Sequence, residues 1–440
     1  MAGQSTRRSA PGALRGRFFL SFLSLLLGVV GCSGVRRPPD PPAAEIPPAP
    51  RFAAEPTIRV GVAWGDSGLM IGGNGRWWIR ESARNRPIAV VEGGAAWRVV
   101  RLPFETALRV ARADGYLSQP HPGPLTVAPL GPFPVELGGT AYPGSIEILL
   151  RPDGTLTAVN VAPIETYLEG VVPKELGRPG ADAIEALRAQ AIAARTYALK
   201  RLGSRAALGF DVYGTIQDQA YLGHPDPADS LAIRAVRATR GEALLYNGYL
   251  IDAYYHSTCG GHTARVEQVF DDPAAPYLTA VSDERPEGGY WCQSSKYFRW
   301  TAAYDSVEIQ ATIARNLPAL VPVPPGGVGA VRDVEVVRST PEGRALTVQV
   351  ATSTGRYLVS ENEIRTLFAD TGGTWLRSTL FLMRAVRDGS RLVGLTLVGG
   401  GWGHGVGMCQ VGAMARARAG QPYGQILETY YPGATIARLY

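Results

Sequence analysis

The chain lacks any internal repeat, any sustained run of one charge, and any apolar stretch long enough for a comfortable membrane-spanning helix. A repeat array is therefore excluded. Its net charge of +6 overstates the basicity of the body. Arg7, Arg8, Arg15 and Arg17 precede Cys32 with no acidic residue among them, and the remainder carries only +2. A nucleic-acid footprint loses its support. Paired cysteine is also missing: setting Cys32 aside leaves Cys259, Cys292 and Cys409, an odd number that forbids complete disulfide pairing.

The N-terminus reads in three parts: a basic start, an apolar run from Phe18 to Val30, and Val29-Val30-Gly31-Cys32-Ser33. These are signal-peptide proportions, and the small residue before a cysteine resembles a bacterial lipobox. Residues 1–32 are expected to be a lipoprotein leader ending at a lipidated Cys32, with an ordinary signal peptide as the alternative. Either reading places the mature protein outside the cytoplasm, and the first anchors it to a membrane in the cell envelope. Residues 33–56 are rich in Pro and Ala, a composition that favours extended conformers and builds no core, and they are read as a tether.

What remains, with 45% hydrophobic and 19% charged residues overall, is ample for a large α+β body. Strand alternation begins at Ile58–Val62 and recurs at Trp77–Ile79, Ile88–Val91, Trp97–Leu102 and Leu125–Val127. Ser145–Leu150, a Pro152-Asp153-Gly154 turn and Leu156–Val161 predict a hairpin. Residues 57–162 are thus expected to be mostly β, and 163–440 to carry the function. After the Pro179-Gly180 break, Ile184, Leu187, Ala191, Ala194 and Ala198 mark one face of a long buried helix over Asp182–Leu202. A second helix is expected over Asp229–Arg240, and a hairpin over Leu244–Tyr255 turning at Asn247-Gly248. Residues 301–398 read as strands with one helix near Ser360–Phe368, and a C-terminal helical segment covers Met408–Ala419.

The stretch Tyr167-Leu-Glu-Gly-Val-Val-Pro-Lys-Glu175 sets one carboxyl group after a tight Val171-Val172-Pro173 segment and upstream of the long helix. A surface glutamate near a helix start is the plain alternative. Its apolar neighbours argue instead for burial, which raises a carboxyl pKa toward that of a general acid. Glycosidases ordinarily use two flanking carboxylates. Glu169 is near in sequence, but no second acid is singled out, which leaves open a one-acid mechanism in which the sugar's own C6 hydroxyl replaces water as the attacking group. His256, Cys259, His262 and Cys292 are acceptable zinc-ligand types, and a Cys259–Cys292 disulfide or free thiols would fit as well. Gly399–Gly405, with five glycines around His404, implies a close backbone approach before a helix. A dinucleotide fingerprint is dismissed, because such a loop belongs in a first βα unit.

Several of these segments together resemble the stage II sporulation protein D family, whose other branch is the LytB amidase enhancers. They are Tyr167–Glu175, Glu185–Ala198 with Gln190, Arg195 and Tyr197, Gln219-Ala-Tyr221-x-Gly223, Ser257–Thr263, Leu376–Phe381, Gly403–Ala413 with Gln410, and Tyr430–Gly433. The resemblance implies a lytic transglycosylase of peptidoglycan. It would cleave between N-acetylmuramic acid and N-acetylglucosamine in strands stripped of stem peptides and leave 1,6-anhydro ends. It places the essential glutamate at Glu175, substrate contacts at Arg195, Tyr197, Tyr221, His404, Gly405 and Gln410, and, in some members, zinc near His256, Cys259, His262 and Cys292. No other cofactor is expected. A cell-wall amidase is an implied partner, and a non-catalytic enhancer of such an amidase is the alternative role. Leu176, Cys409 and Val411 stand where methionine, serine and tyrosine are usual.

Overall fold

In the computed structural model, residues 50–389 and 391–440 are described. The expected leader, Cys32 and residues 33–49 lie outside the described residues. Alternating strands produce two antiparallel-rich sheets over one core. The larger has seven strands, with 57–66 between 212–213 and 156–163, followed by 145–150, 125–129, 77–81 and 86–91. The smaller joins 109–112, 97–100, 68–72, 135–137 and 140–142. The expected hairpin is present, with Ser145 opposite Val161 and Leu150 opposite Leu156. Ile146, Ile148, Leu156 and Ala158 are fully buried on its inner face. Strand 57–66 also pairs in parallel with Val212-Tyr213, so the β-rich first part and the segment after residue 163 share a sheet. Arg51–Pro56, expected in the tether, is fastened to the body: the Phe52 amide donates to the Leu439 carbonyl, and Glu55 pairs with Arg240.

Helix α1, Ile164–Leu176, follows the 156–163 strand directly. Sequence reading sets a tight segment there rather than a helix, and Gly170 and Pro173 are indeed poor helix formers. Burial overrides propensity: Ile164, Tyr167, Leu168, Val171 and Val172 are wholly inaccessible. Gly170 is required by packing, since a Cβ there would sit 2.3 Å from the Gly223 carbonyl oxygen. Glu175 is therefore held by its own helix, one residue before the end, rather than by a loop ahead of the next one. Helix α2, Ile184–Lys200, is buried almost all round, its alanines allowing close approach of α1, α3 (Ser230–Ala238), α6 (Gln410–Arg418) and α7 (Tyr423–Tyr430). The turn at Asn247-Gly248 has both residues at positive φ, 48° and 80°, as a two-residue hairpin requires.

Residues 300–397 build a second core around Ile309, Ile313, Val348, Val350 and Leu397. Two three-stranded sheets supply it, together with α4, Ser306–Asn316, and α5, Glu363–Leu367. Sequence reading places one helix in this region; α4 is the second, opened by an Asp305–Glu308 capping box. The chain returns to the first core through Gly399–Gly407 and closes with strand 435–438 on 242–246.

Arg195, expected at the substrate, is instead a core residue. Its guanidinium is fully buried and grips Glu165 with two bonds of 2.8 and 2.7 Å, while also donating to the Val236 and Glu242 carbonyls. Breaking such a pair strands the remaining charge. Arg195→Met is expected to lower unfolding free energy by about 3–5 kcal/mol, measurable by urea denaturation.

Candidate active site around Glu175

Three segments converge on Glu175. From the 219–223 loop, the Ala220 amide donates to Glu175 Oε1 at 2.8 Å. From the N-terminus of α6, Gln410 Nε2 reaches Oε2 at 3.4 Å and also contacts Gln190 Oε1 on α2 at 3.4 Å. The loop is itself fixed: Gln219 accepts from the Tyr167 hydroxyl and donates to the Ala194 carbonyl and the Tyr255 hydroxyl. Burial raises the Glu175 pKa, and the amide bond, the Gln410 contact and Lys174 only partly offset it. No basic side chain forms an ion pair with Glu175 among the described residues. Nearby carboxylates are engaged elsewhere. Glu169 pairs with Arg237 at 2.7 Å, Glu165 with Arg195, and Asp218 with Arg205 and the Tyr197 hydroxyl. The arrangement raises the pKa of one carboxylic acid, whose proton can be offered to an oxygen at the surface.

An open groove of about 530 Å³ lies alongside. Its walls include Tyr197, Arg201, Arg205, Tyr255, Arg365 and His404. Glu175 is not itself a wall; it connects to the wall residue Tyr255 through Ala220 and Gln219. Arg365 enters from α5 of the second core with 7% of its surface exposed, bonded to the Leu376 carbonyl and Asn362 but to no carboxylate among the described residues. Burial, with Arg344 nearby, pulls its pKa down to about 10. Of the expected contacts, Tyr197 and His404 line the groove and Gln410 holds the glutamate. Gly405 does not face the groove. It is buried, and a Cβ on it would meet the Arg344 guanidinium at 2.5 Å. Tyr221 is 8% exposed, packs among Tyr142 and Tyr167, and donates to Asn160.

His404 is committed on both nitrogens. Nε2–H donates to the Tyr255 carbonyl at 2.8 Å, and Nδ1 accepts from the Val406 amide at 3.1 Å. Burial, followed by Arg365, pushes its pKa down to about 3. It is a neutral brace, not a proton carrier. The glycines around it serve backbone packing: a Cβ on Gly407 would fall 2.0 Å from the Tyr254 carbonyl oxygen. Strand 408–409 thereby runs parallel to Tyr255-His256.

The expected zinc set does not assemble. His256 Nδ1 bonds the Val406 carbonyl and its ring packs against His404, 5.5 Å between centroids. Neither His256 nor His262 joins the group whose donor atoms converge; that group is Cys259, Asp283, Cys292 and Cys409. Asp283, Arg201, Arg205 and Arg365 were missed by sequence reading. Asp283 lies 24 positions from Cys259 in no ligand spacing, and the arginines look like surface cations.

A family model described as Stage II sporulation protein matches residues 152–246, a span containing Glu175, Gln190 and the 219–223 loop. A second, described as Domain of unknown function (DUF8618), matches residues 285–407, nearly the extent of the second core. The amidase enhancer of Bacillus subtilis is 32% identical over 300 residues, 61% of this chain and 40% of that protein. An uncharacterized protein of Brachyspira hyodysenteriae is 32% identical over 301 residues, 68% of this chain and 73% of that one. Stage II sporulation protein D of B. subtilis is 28% identical over 294 residues, 64% of this chain and 76% of that one. This chain thus spans 40% of the amidase enhancer's length. On these matches, with Glu175 inside the span of the Stage II sporulation protein model, the chain belongs to the stage II sporulation protein D / LytB amidase-enhancer family.

Proposed function

We propose that the protein is a lytic transglycosylase that cleaves N-acetylmuramic acid–N-acetylglucosamine bonds of stem-peptide-free peptidoglycan strands. The observation that carries this reading is Glu175: a carboxyl group with a raised pKa and, among the described residues, no partner cation and no free second acid beside it. In the first half-reaction protonated Glu175 gives its proton to the glycosidic oxygen, and the C1–O bond breaks with its electrons passing to the leaving N-acetylglucosamine. The muramyl C6 hydroxyl then bonds to C1 and its proton passes to the Glu175 carboxylate. The product is a 1,6-anhydro end, water is not consumed, and the acid is restored. Gln410 and the Ala220 amide hold the carboxylate in the interval. Removal of stem peptides leaves each muramyl residue with a free lactyl carboxylate, and a groove with Arg201, Arg205 and Arg365 against Asp218 suits that anion. Export and anchoring through Cys32 complete the reading.

The similarity to an amidase enhancer supports a second reading, a wall-binding module that stimulates a separate amidase. Mass spectrometry of denuded glycan strands incubated with the protein separates the two. Anhydro-muramyl products are expected from the wild type, and Glu175→Gln should reduce them roughly 100- to 10,000-fold. Wild type yielding none would leave the enhancer reading.

The pH dependence has a definite sign. Activity should be present below the raised Glu175 pKa and fall as pH climbs through it. Because the folded state disfavours the ionised form, the cost to stability appears above the ordinary carboxyl range and is complete above the folded value. Glu175→Gln should therefore be at least as thermostable as wild type near pH 8, with the gain vanishing near about pH 4. Thermal melts at the two pH values check this. Arg365→Gln should weaken turnover of denuded muramyl strands by roughly tenfold, about 1.5 kcal/mol for one charge-assisted hydrogen bond. Chito-oligosaccharide binding, which involves no lactyl group, should change little in a calorimetric titration. Cys32→Ala should move the protein from the membrane to the soluble fraction of the envelope.

A further inference from the structure

Four buried donors outside the groove have no part in the reading of Glu175. The side chains of Cys259, Cys292 and Cys409 are fully inaccessible, and so is Asp283. One donor atom from each lies within 4.8 Å of all the others. We propose that Cys259, Cys292, Cys409 and Asp283 form a closed tetrahedral zinc site, in place of the His256/Cys259/His262/Cys292 set that the family resemblance implies. Zinc bound at ~2.3 Å to sulfur and ~2.0 Å to oxygen would separate sulfur from sulfur by ~3.8 Å and sulfur from oxygen by ~3.5 Å. Here Cys259 Sγ lies 3.5 Å from Cys292 Sγ and 3.5 Å from Asp283 Oδ2.

The surroundings fit thiolate ligands. Backbone amides donate to sulfur, Gly261 to Cys259 at 3.4 Å, and Cys259 and Gly412 to Cys409 at 3.2 and 3.4 Å. Asp283 is oriented by the Cys292 amide on Oδ2 and by the Tyr430 hydroxyl on Oδ1 at 2.7 Å, the outer-shell support that ligating carboxylates receive. Its one cationic neighbour among the described residues, Arg416, is 3.4 Å away. A Cys259–Cys292 disulfide would use two sulfurs and leave Cys409 and the second oxygen of Asp283 without a shared ligand. Softness of the donors and fourfold closure select zinc over magnesium or calcium, and leave no open position for catalysis. The site would be structural. It would clamp the 259–261 loop, the turn at 291–294 and the start of α6, where Cys409 precedes the Gln410 that touches Glu175.

The test does not depend on Glu175 being catalytic. The full chain, purified without chelator, is analysed by plasma mass spectrometry for metal and by intact-mass measurement. One zinc per chain and a fully reduced mass are expected. Cobalt exchanged into the wild type should give thiolate-to-cobalt charge-transfer bands and tetrahedral visible absorption, a readout independent of any variant's folding. Cys409→Ser and Asp283→Asn should each lower zinc retention at least tenfold on dialysis against a chelator, while His256→Ala and His262→Ala retain it. A metal-free chain about 2 Da lighter than the reduced mass would overturn the proposal in favour of a disulfide. Zinc lost with either histidine but kept in Cys409→Ser would overturn the ligand set.

Discussion

The structure depends on partly burying one carboxyl group without pairing it to a cation among the described residues. Glu175 ends a helix that could form only because its apolar face is sealed against the sheet and α2, and whose glycine lets the 221–223 loop press against it. That loop supplies the Ala220 amide, and α6 supplies Gln410. Each contact is neutral, so burial dominates and the acid stays protonated further up the pH scale than a surface glutamate. A lysine or arginine within reach would have produced the opposite, an ionised residue with little acid strength to offer.

Much that looks functional in the sequence turns out to serve this placement at one remove. The glycine-rich loop lets strand 408–409 lie against Tyr255-His256 and so fixes where α6 begins. His404 braces that crossing with both ring nitrogens and is too strongly desolvated to carry a proton near neutral pH. The second core contributes by inserting Arg344 behind Gly405 and Arg365 into the groove, which gives the separate 300–397 unit a part in the site rather than a position beside it.

Local patterns carried the sheets and α2 well, because alternation and alanine spacing report directly on burial. They missed α1, whose glycine and proline are poor helix formers, since the tertiary contacts that outweigh propensity reach from Tyr167 to Gln219 and from Gly170 to Gly223. Glu175 was legible as a probable acid from its apolar neighbours; Gln410 was legible only as a motif, and its partner was not. Arg195 was misread because a conspicuous arginine within a helix motif does not announce the buried Glu165 that holds it. The cysteine cluster shows the same limit: spacing suggested histidines close in sequence, whereas the fold gathered Asp283 and Cys409 from a distance.

The central claim is that one carboxyl group, with no activated water, accounts for cleavage. Digestion of denuded glycan in water enriched in heavy oxygen tests it most directly. The account predicts unlabelled anhydro-muramyl ends that disappear with Glu175→Gln. Reducing ends carrying the heavy oxygen would show a hydrolytic water and contradict it.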